Sequence, residues 1–206
     1  MPRLFALALL ALIAGSAIAL AQNETRIGRP ADFEPIHPVA ASETHIALFN
    51  FPAAALPGLA QLQRRPTRDV LREYWRWDTG AMAIASATAP NTTIGKGRND
   101  PAGLVAQFVF WRELVERGIA FERDDIKRGE NRIGPYFFAV SDRTIDGETC
   151  LFFRQGLPVK IVGSVTKDDD AVRGEISGYD CRTGDRLTPN GLEVLVRPMI
   201  DALAIR

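Results

Sequence analysis

An α+β fold is the class this sequence predicts: an antiparallel sheet with two or three helices packed on one face and one disulfide. Three observations predict it. From Ile119 to Cys181 the chain breaks into short β-branched and aromatic runs separated by turn residues, the pattern of hairpins. Ahead of that region, and again at the C-terminus, apolar residues recur at helical spacing behind cap residues. The only two cysteines, Cys150 and Cys181, fall inside two of the second-half strand runs.

In chain order, "MPRLFALALLALIAGSAIALA" carries one basic residue, an apolar run, a Gly-Ser break and small residues at Ala19 and Ala21. This is the order of a secretory signal peptide over residues 1–21, with cleavage before Gln22. Retained, the same segment would be a membrane anchor, because its apolar stretch reaches the ~18 residues at which a spanning helix becomes possible. Residues 22–43, polar and proline-bearing, read as a flexible leader, and residues 44–206 as a single α+β domain. "THIALFNF" is a plausible first strand, ended by the Ala-Pro-Gly stretch to Gly58.

Pro66-Thr67 followed by "RDVLREYWRW" reads as a helix capped by Thr67. Val70, Leu71, Tyr74 and Trp75 would face the core, and Arg65, Arg68, Arg72 and Arg76 would line the opposite side. "AMAIASATA" reads as a small-residue strand and "PNTTIGKGRND" as a loop. The glycines around Lys96 lack P-loop spacing, and no Ser or Thr follows the lysine. Asp100-Pro101 starts a helix whose stripe is Leu104, Phe108, Trp111 and Val115, closed by Gly118. The strand runs that follow are "AFERDDIK", "GPYFFAVS", "ETCLFFRQ", "VKIVGSVT" and "RGEISGYDC", with Gly-Glu-Asn and Asp146-Gly147 among the turns. Thr188-Pro189 caps a last helix in which Leu192, Leu195, Met199 and Leu203 share a face and Pro198 marks a kink or restart.

An exported chain with two cysteines most simply bridges them, since its compartment is oxidising. Neither cysteine has the C-x-x-C setting of a redox thiol. A bridge requires Cα atoms within about 7 Å. A tight meander would place "VKIVGSVT" between the two cysteine strands and hold them apart. The Cys150 strand is therefore expected to pair directly with the Cys181 strand, leaving residues 156–174 as a protruding connection.

Few residues of the chain carry a recognisable chemical pattern. Basic and acidic residues balance at 25 each, and loss of the signal removes only Arg3, so nucleic acid is not expected as a partner. Only His37 and His45 are present, and no zinc-hydrolase or G-x-S-x-G pattern occurs. Asp168, Asp169 and Asp170 lack EF-hand spacing. No metal and no cofactor is expected. Glu113 and Asp78 are the candidates for a carboxylate-dependent hydrolase.

The combination "TCLFFRQ … GYDC" resembles small secreted proteobacterial proteins of unknown function, in which an aromatic-rich Cys strand precedes a Gly-Tyr-x-Cys strand. The resemblance covers the last third of the chain, with Asp180 standing where the pattern has an aromatic. It implies a disulfide module and brings no activity or site. The expected function is an exported, non-catalytic periplasmic or surface domain that binds another envelope protein or glycan. Its candidate surface is Arg65, Arg68, Arg72, Arg76, Trp75, Trp77, Lys96 and Arg98, because arginine and aromatic residues dominate interface energetics. The alternatives are the envelope hydrolase and an accessory subunit of a secretion, pilus or respiratory assembly.

Overall fold

Two-residue alternation governs more of this chain than its local spacing suggests. A computed structural model describes residues 37–38, 44–52, 55–56, 58–63, 70–87, 95–96, 100–108, 111–143, 147–157, 171–172, 174–184 and 188–205. They belong to one unit, Ile36–Arg206. Its first elements are β1 (His37–Pro38), β2 (Ile46–Leu48), β3 (Ala60–Gln63), β4 (Val70–Trp77), β5 (Gly80–Ala87) and β6 (Gly95–Lys96). Two short helices follow, α1 (Ala102–Phe108) and α2 (Arg112–Glu116), then a 3-10 turn (Arg123–Asp125). The remainder is β7 (Lys127–Asn131), β8 (Gly134–Ser141), β9 (Thr149–Leu157), β10 (Ala171–Val172), β11 (Gly174–Arg182), α3 (Pro189–Asp201) and β12 (Leu203–Ile205). Among the described residues no helix is long and apolar enough to cross a membrane.

The main sheet is antiparallel, in the order β1-β3-β4-β5-β11-β9-β8-β7. The ribbons β6–β10 and β2–β12 stand apart from it. β11 and β9 lie side by side in the interior of the sheet and are buried almost throughout, so their side chains fill both faces. Phe152 and Phe153 show the consequence: they are neighbours in sequence, point to opposite faces and join different core clusters. Burying each such ring contributes roughly 1.5–3 kcal/mol. Gly178 lies at a close approach between strands, where a Cβ would come within 2.6 Å of the Ala81 carbonyl oxygen.

The expected disulfide is present. Cys150 and Cys181 are bonded, and they are directly opposed in the β9–β11 ladder with Cα atoms 4.1 Å apart. The two cysteine strands pair directly, as inferred from the bridge, and the chain from Leu157 to Gly174 is the excursion between them. The helices divide between the two faces of the sheet. Leu192, Val196, Met199 and Ile200 of α3 cover the Trp75, Met82, Phe138 and Phe153 side, together with Ile46 and Leu203. Leu104 of α1, Leu114 of α2, and Trp111 and Ile119 flanking α2 cover the Phe137, Phe152, Tyr179 and disulfide side.

Several local expectations are corrected. The segment read as a helix after Thr67 is the eight-residue strand β4, turning through Asp78-Thr79 into β5. Its alternation was masked because the charged Glu73 occupies a buried position beside Trp75 and Trp77. The helix expected from Asp100 is two pieces, and the phase changes between them. Leu104 and Trp111 are buried, Leu114 fills the next inward position, and Val115 is 48% exposed. Gly118 ends α2 with φ +68°. In "AFERDDIK" the middle, Arg123–Asp125, forms the 3-10 turn, and Gly129-Glu130-Asn131, expected as a turn, lies in β7. Thr188 caps α3 by accepting the Gly191 N–H, and the helix continues through Pro198 to Asp201. The carbonyl that Pro198 leaves unbonded belongs to Val194, which is exposed to water. Leu195 faces outward, and Val196 and Ile200 take the inward positions instead. "VKIVGSVT" lies outside the described residues.

Candidate functional site

β4 sorts its side chains by parity. Glu73, Trp75 and Trp77 are buried on the α3 side. Arg72 and Tyr74, both half-buried, and Arg76, exposed, stand on the other face. Across the ladder Arg72 meets Ala85, Tyr74 meets Ala83 and Arg76 meets Ala81. The next strand places Glu175, Ser177 and Tyr179 beside those alanines. Three methyl side chains therefore lie level with two arginines and a tyrosine, and Ala81 among them is buried in the core of that face. α1 and α2 pack over the same side of the sheet. Gly103 of α1 sits so close to the Arg154 guanidinium that a Cβ there would lie 2.3 Å from Nη1. Trp111 meets the Tyr179 ring edge-on at 5.3 Å and donates to Ser177 Oγ at 3.1 Å.

Among the described residues, neither Arg72 nor Arg76 has a carboxylate within ion-pair distance, and neither makes a hydrogen bond through its side chain. This contrasts with the neighbouring cations: Arg154 is bound by Glu175 at 2.7 Å, Arg117 by Glu148 at 2.8 Å, and Arg182 by Asp180 at 2.7 Å.

The other residues expected at the surface are placed as follows. Trp75 and Trp77 belong to the core, 3% and 2% exposed, because their parity is that of Glu73. Trp77 donates its indole N–H to the buried Asp180 at 2.8 Å, and Thr79 and Arg182 bind the same carboxylate. The Trp75 indole N–H has no partner among the described residues. Lys96 lies in β6 opposite Ala171. Arg65, Arg68 and Arg98 lie outside the described residues.

Protein-family models, curated proteins and solved structures give no match to this chain.

A polar cleft of about 300 Å³ lies beside the disulfide, lined by Asp78, Thr79, Arg117, Glu148, Cys181, Arg182 and Thr183. Asp78 is in it, but Glu113 is not: Glu113 accepts the Tyr179 hydroxyl at 3.2 Å. The Glu148 carboxylate lies within 4.8 Å of both cysteine sulfurs. Those sulfurs are bonded to each other and offer no thiolate to a metal.

His45 has a role its sequence setting did not show. Its backbone N–H donates to both oxygens of Glu73, at 2.9 and 3.0 Å, and its ring Nδ1 is in hydrogen-bond contact with the same carboxylate. A charged residue inside the core is thereby satisfied by a segment 28 positions earlier in the chain.

Tyr179 gives a pH prediction. Burial, reinforced by the Glu113 carboxylate, pushes its hydroxyl from the ordinary value near 10 up to about 12. A group whose folded value is raised contributes stability that is fully present below its unfolded value and is lost as pH rises through the folded one. Urea midpoints of the native protein are expected to fall between pH 10 and pH 12. Tyr179→Phe, which keeps the ring and removes the proton, should flatten part of that fall. Identical profiles for the two proteins would contradict the assignment.

Proposed function

We propose that this chain is an exported, non-catalytic domain of the cell envelope that binds an anionic envelope protein or glycan through the β4–β5 face. The observation that carries the reading is a pair of arginines with no carboxylate partner among the described residues. Arg72 and Arg76 flank Tyr74 on one sheet face, level with Ala81, Ala83 and Ala85 of the neighbouring strand. Arginine and tyrosine are the residues most often found at the energetic centres of interfaces. Export is supported by the signal-type N-terminus and by the disulfide, which suits an oxidising compartment. The Cys-aromatic and Gly-Tyr-x-Cys strands, which resemble secreted proteobacterial proteins, point the same way.

The test is affinity purification from native envelope with the wild-type protein and with Arg72→Glu/Arg76→Glu. Both positions are on the surface side of the strand, so the disulfide-bonded fold should be retained. The partner recovered by the wild type is expected to bind the variant at least about tenfold more weakly, the scale of one or more interface arginines. Tyr74→Ala should weaken it further. Recovery unchanged by the double charge reversal removes this face as the binding surface.

A further inference from the structure

We infer that β7 is a self-association edge, to which a second copy of this chain adds its own β7, antiparallel, about a two-fold axis through Gly129. β7 closes one side of the main sheet, and among the described residues no strand lies beyond it. Its hairpin partner determines which backbone groups remain. β7 pairs with β8 in unbroken register, and the closing pair Asn131↔Gly134 spans the two-residue loop Arg132-Ile133. In such a hairpin the closing pair exchanges hydrogen bonds and the pairs behind it alternate. Asn131, Gly129 and Lys127 therefore bond inward to β8, and the N–H and C=O groups of Arg128 and Glu130 point outward. Pro135, which has no N–H to give, stands opposite Glu130, where the alternation requires no inward bond.

The same two residues carry complementary charges. Arg128 and Glu130 are exposed on one face of the strand, and neither has an ion-pair partner among the described residues. Lys127, by contrast, is held by Glu193 of α3 at 2.6 Å. With the axis at Gly129, Arg128 of each copy falls opposite Glu130 of the other. Backbone hydrogen bonds and charge attraction then form at the same residue pair, and the axis repeats the arrangement. Gly129 places no side chain at the centre.

Charge also selects this register. With the axis moved to Glu130, that carboxylate opposes its own copy and Arg128 opposes Arg132. With the axis at Arg128, the guanidinium opposes itself. Each shifted pairing sets like charges against each other, which is destabilising in a sheet. The strand is short, so the contact belongs to the small, weak class, with a dimer appearing on the order of 1 mM chain.

Sedimentation equilibrium of the purified protein at low salt, from ~0.01 to ~1 mM, tests this range of association. The wild-type mass should rise toward that of a dimer with concentration. Arg128→Glu and Glu130→Arg should each lower the association constant at least about tenfold, because each sets like charges across the axis. The exchanged double variant Arg128→Glu/Glu130→Arg should restore it. A wild type that stays monomeric throughout, single variants that associate as the wild type does, or a double variant that fails to recover would each overturn the proposal. Arg72→Glu/Arg76→Glu lies on a different strand and should leave the association unchanged, so this test and that of the binding face fail independently.

Discussion

Arg154→Met is expected to lower the unfolding free energy by about 3–5 kcal/mol at neutral pH, the cost of leaving one member of a buried ion pair without its partner. Arg154 and Glu175 are 3% and 8% exposed and meet through two guanidinium nitrogens at 2.7 Å. They are not directly opposed: Arg154 faces Ser177 and Glu175 faces Gly156, so the pair reaches diagonally between the two central strands. Burial raises the Glu175 carboxyl above its ordinary value, and Arg154 only partly offsets that rise.

The sign follows from the raised folded value. Glu175 contributes stability below its unfolded value near 4.5 that is lost as pH rises through its higher folded one. Removing the arginine takes away the opposing influence, so the Arg154→Met deficit should be larger at pH 7 than at pH 4. Urea denaturation at the two pH values measures it. Arg154→Met/Glu175→Leu should recover much of the loss, because a buried pair replaced whole by apolar groups costs far less than a pair broken. A single variant within about 1 kcal/mol of the wild type at pH 7 would show that the pair is not desolvated as described.

Cys150→Ala/Cys181→Ala is expected to cost about 3–4 kcal/mol, from the chain freedom that a bridge of this span removes from the unfolded state. The bridge crosses 31 positions and joins opposed residues of β9 and β11, both buried. The native ladder brings the two backbones together whether or not the sulfurs are bonded, so the effect should fall on stability and leave the strand pairing intact. Urea titration of the wild type after reduction should give a loss similar to that of the double variant. Thiol labelling of the unfolded, non-reduced protein should find no free thiol among these two residues. A reduced protein as stable as the oxidised one would remove the bridge from any account of the fold's stability.

Much of the sheet was legible because its signals are local. Runs such as "GPYFFAVS" and "TCLFFRQ" carry β-branched and aromatic residues between turns, and each became a strand. Thr188-Pro189 marked α3 by capping chemistry that reaches only from Thr188 to Gly191. The pairing of β9 with β11 also followed from sequence, since a disulfide is a distance restraint between two named positions. β4 was not legible. Its sequence offers apolar residues at helical spacing, and the alternation that would betray a strand is broken by Glu73 on the inward side. Glu73 is tolerated there because His45 reaches it, and nothing near residue 73 announces that partner.

The candidate binding face shows the same division. Sequence identified Arg72 and Arg76 as surface cations, but helical spacing grouped them with arginines of a continuous stripe and placed Trp75 and Trp77 beside them. Strand parity separates them: the arginines keep Tyr74 for company and the tryptophans enter the core. The alanines of β5 looked like a strand made for close packing. Only the ladder set them level with the arginines, with Ala81 inside the core of that face. Composition, caps, turns and the cysteine pair thus determined the class of fold, its disulfide and most of its central strands, because each acts over a few residues or through a covalent bond. The tertiary structure decided which face each side chain occupies, how the helices divide between the faces, and which buried charges meet. Those outcomes depend on neighbours brought together from distant parts of the chain, and burial is tolerable for a charged group only once such a neighbour is in place.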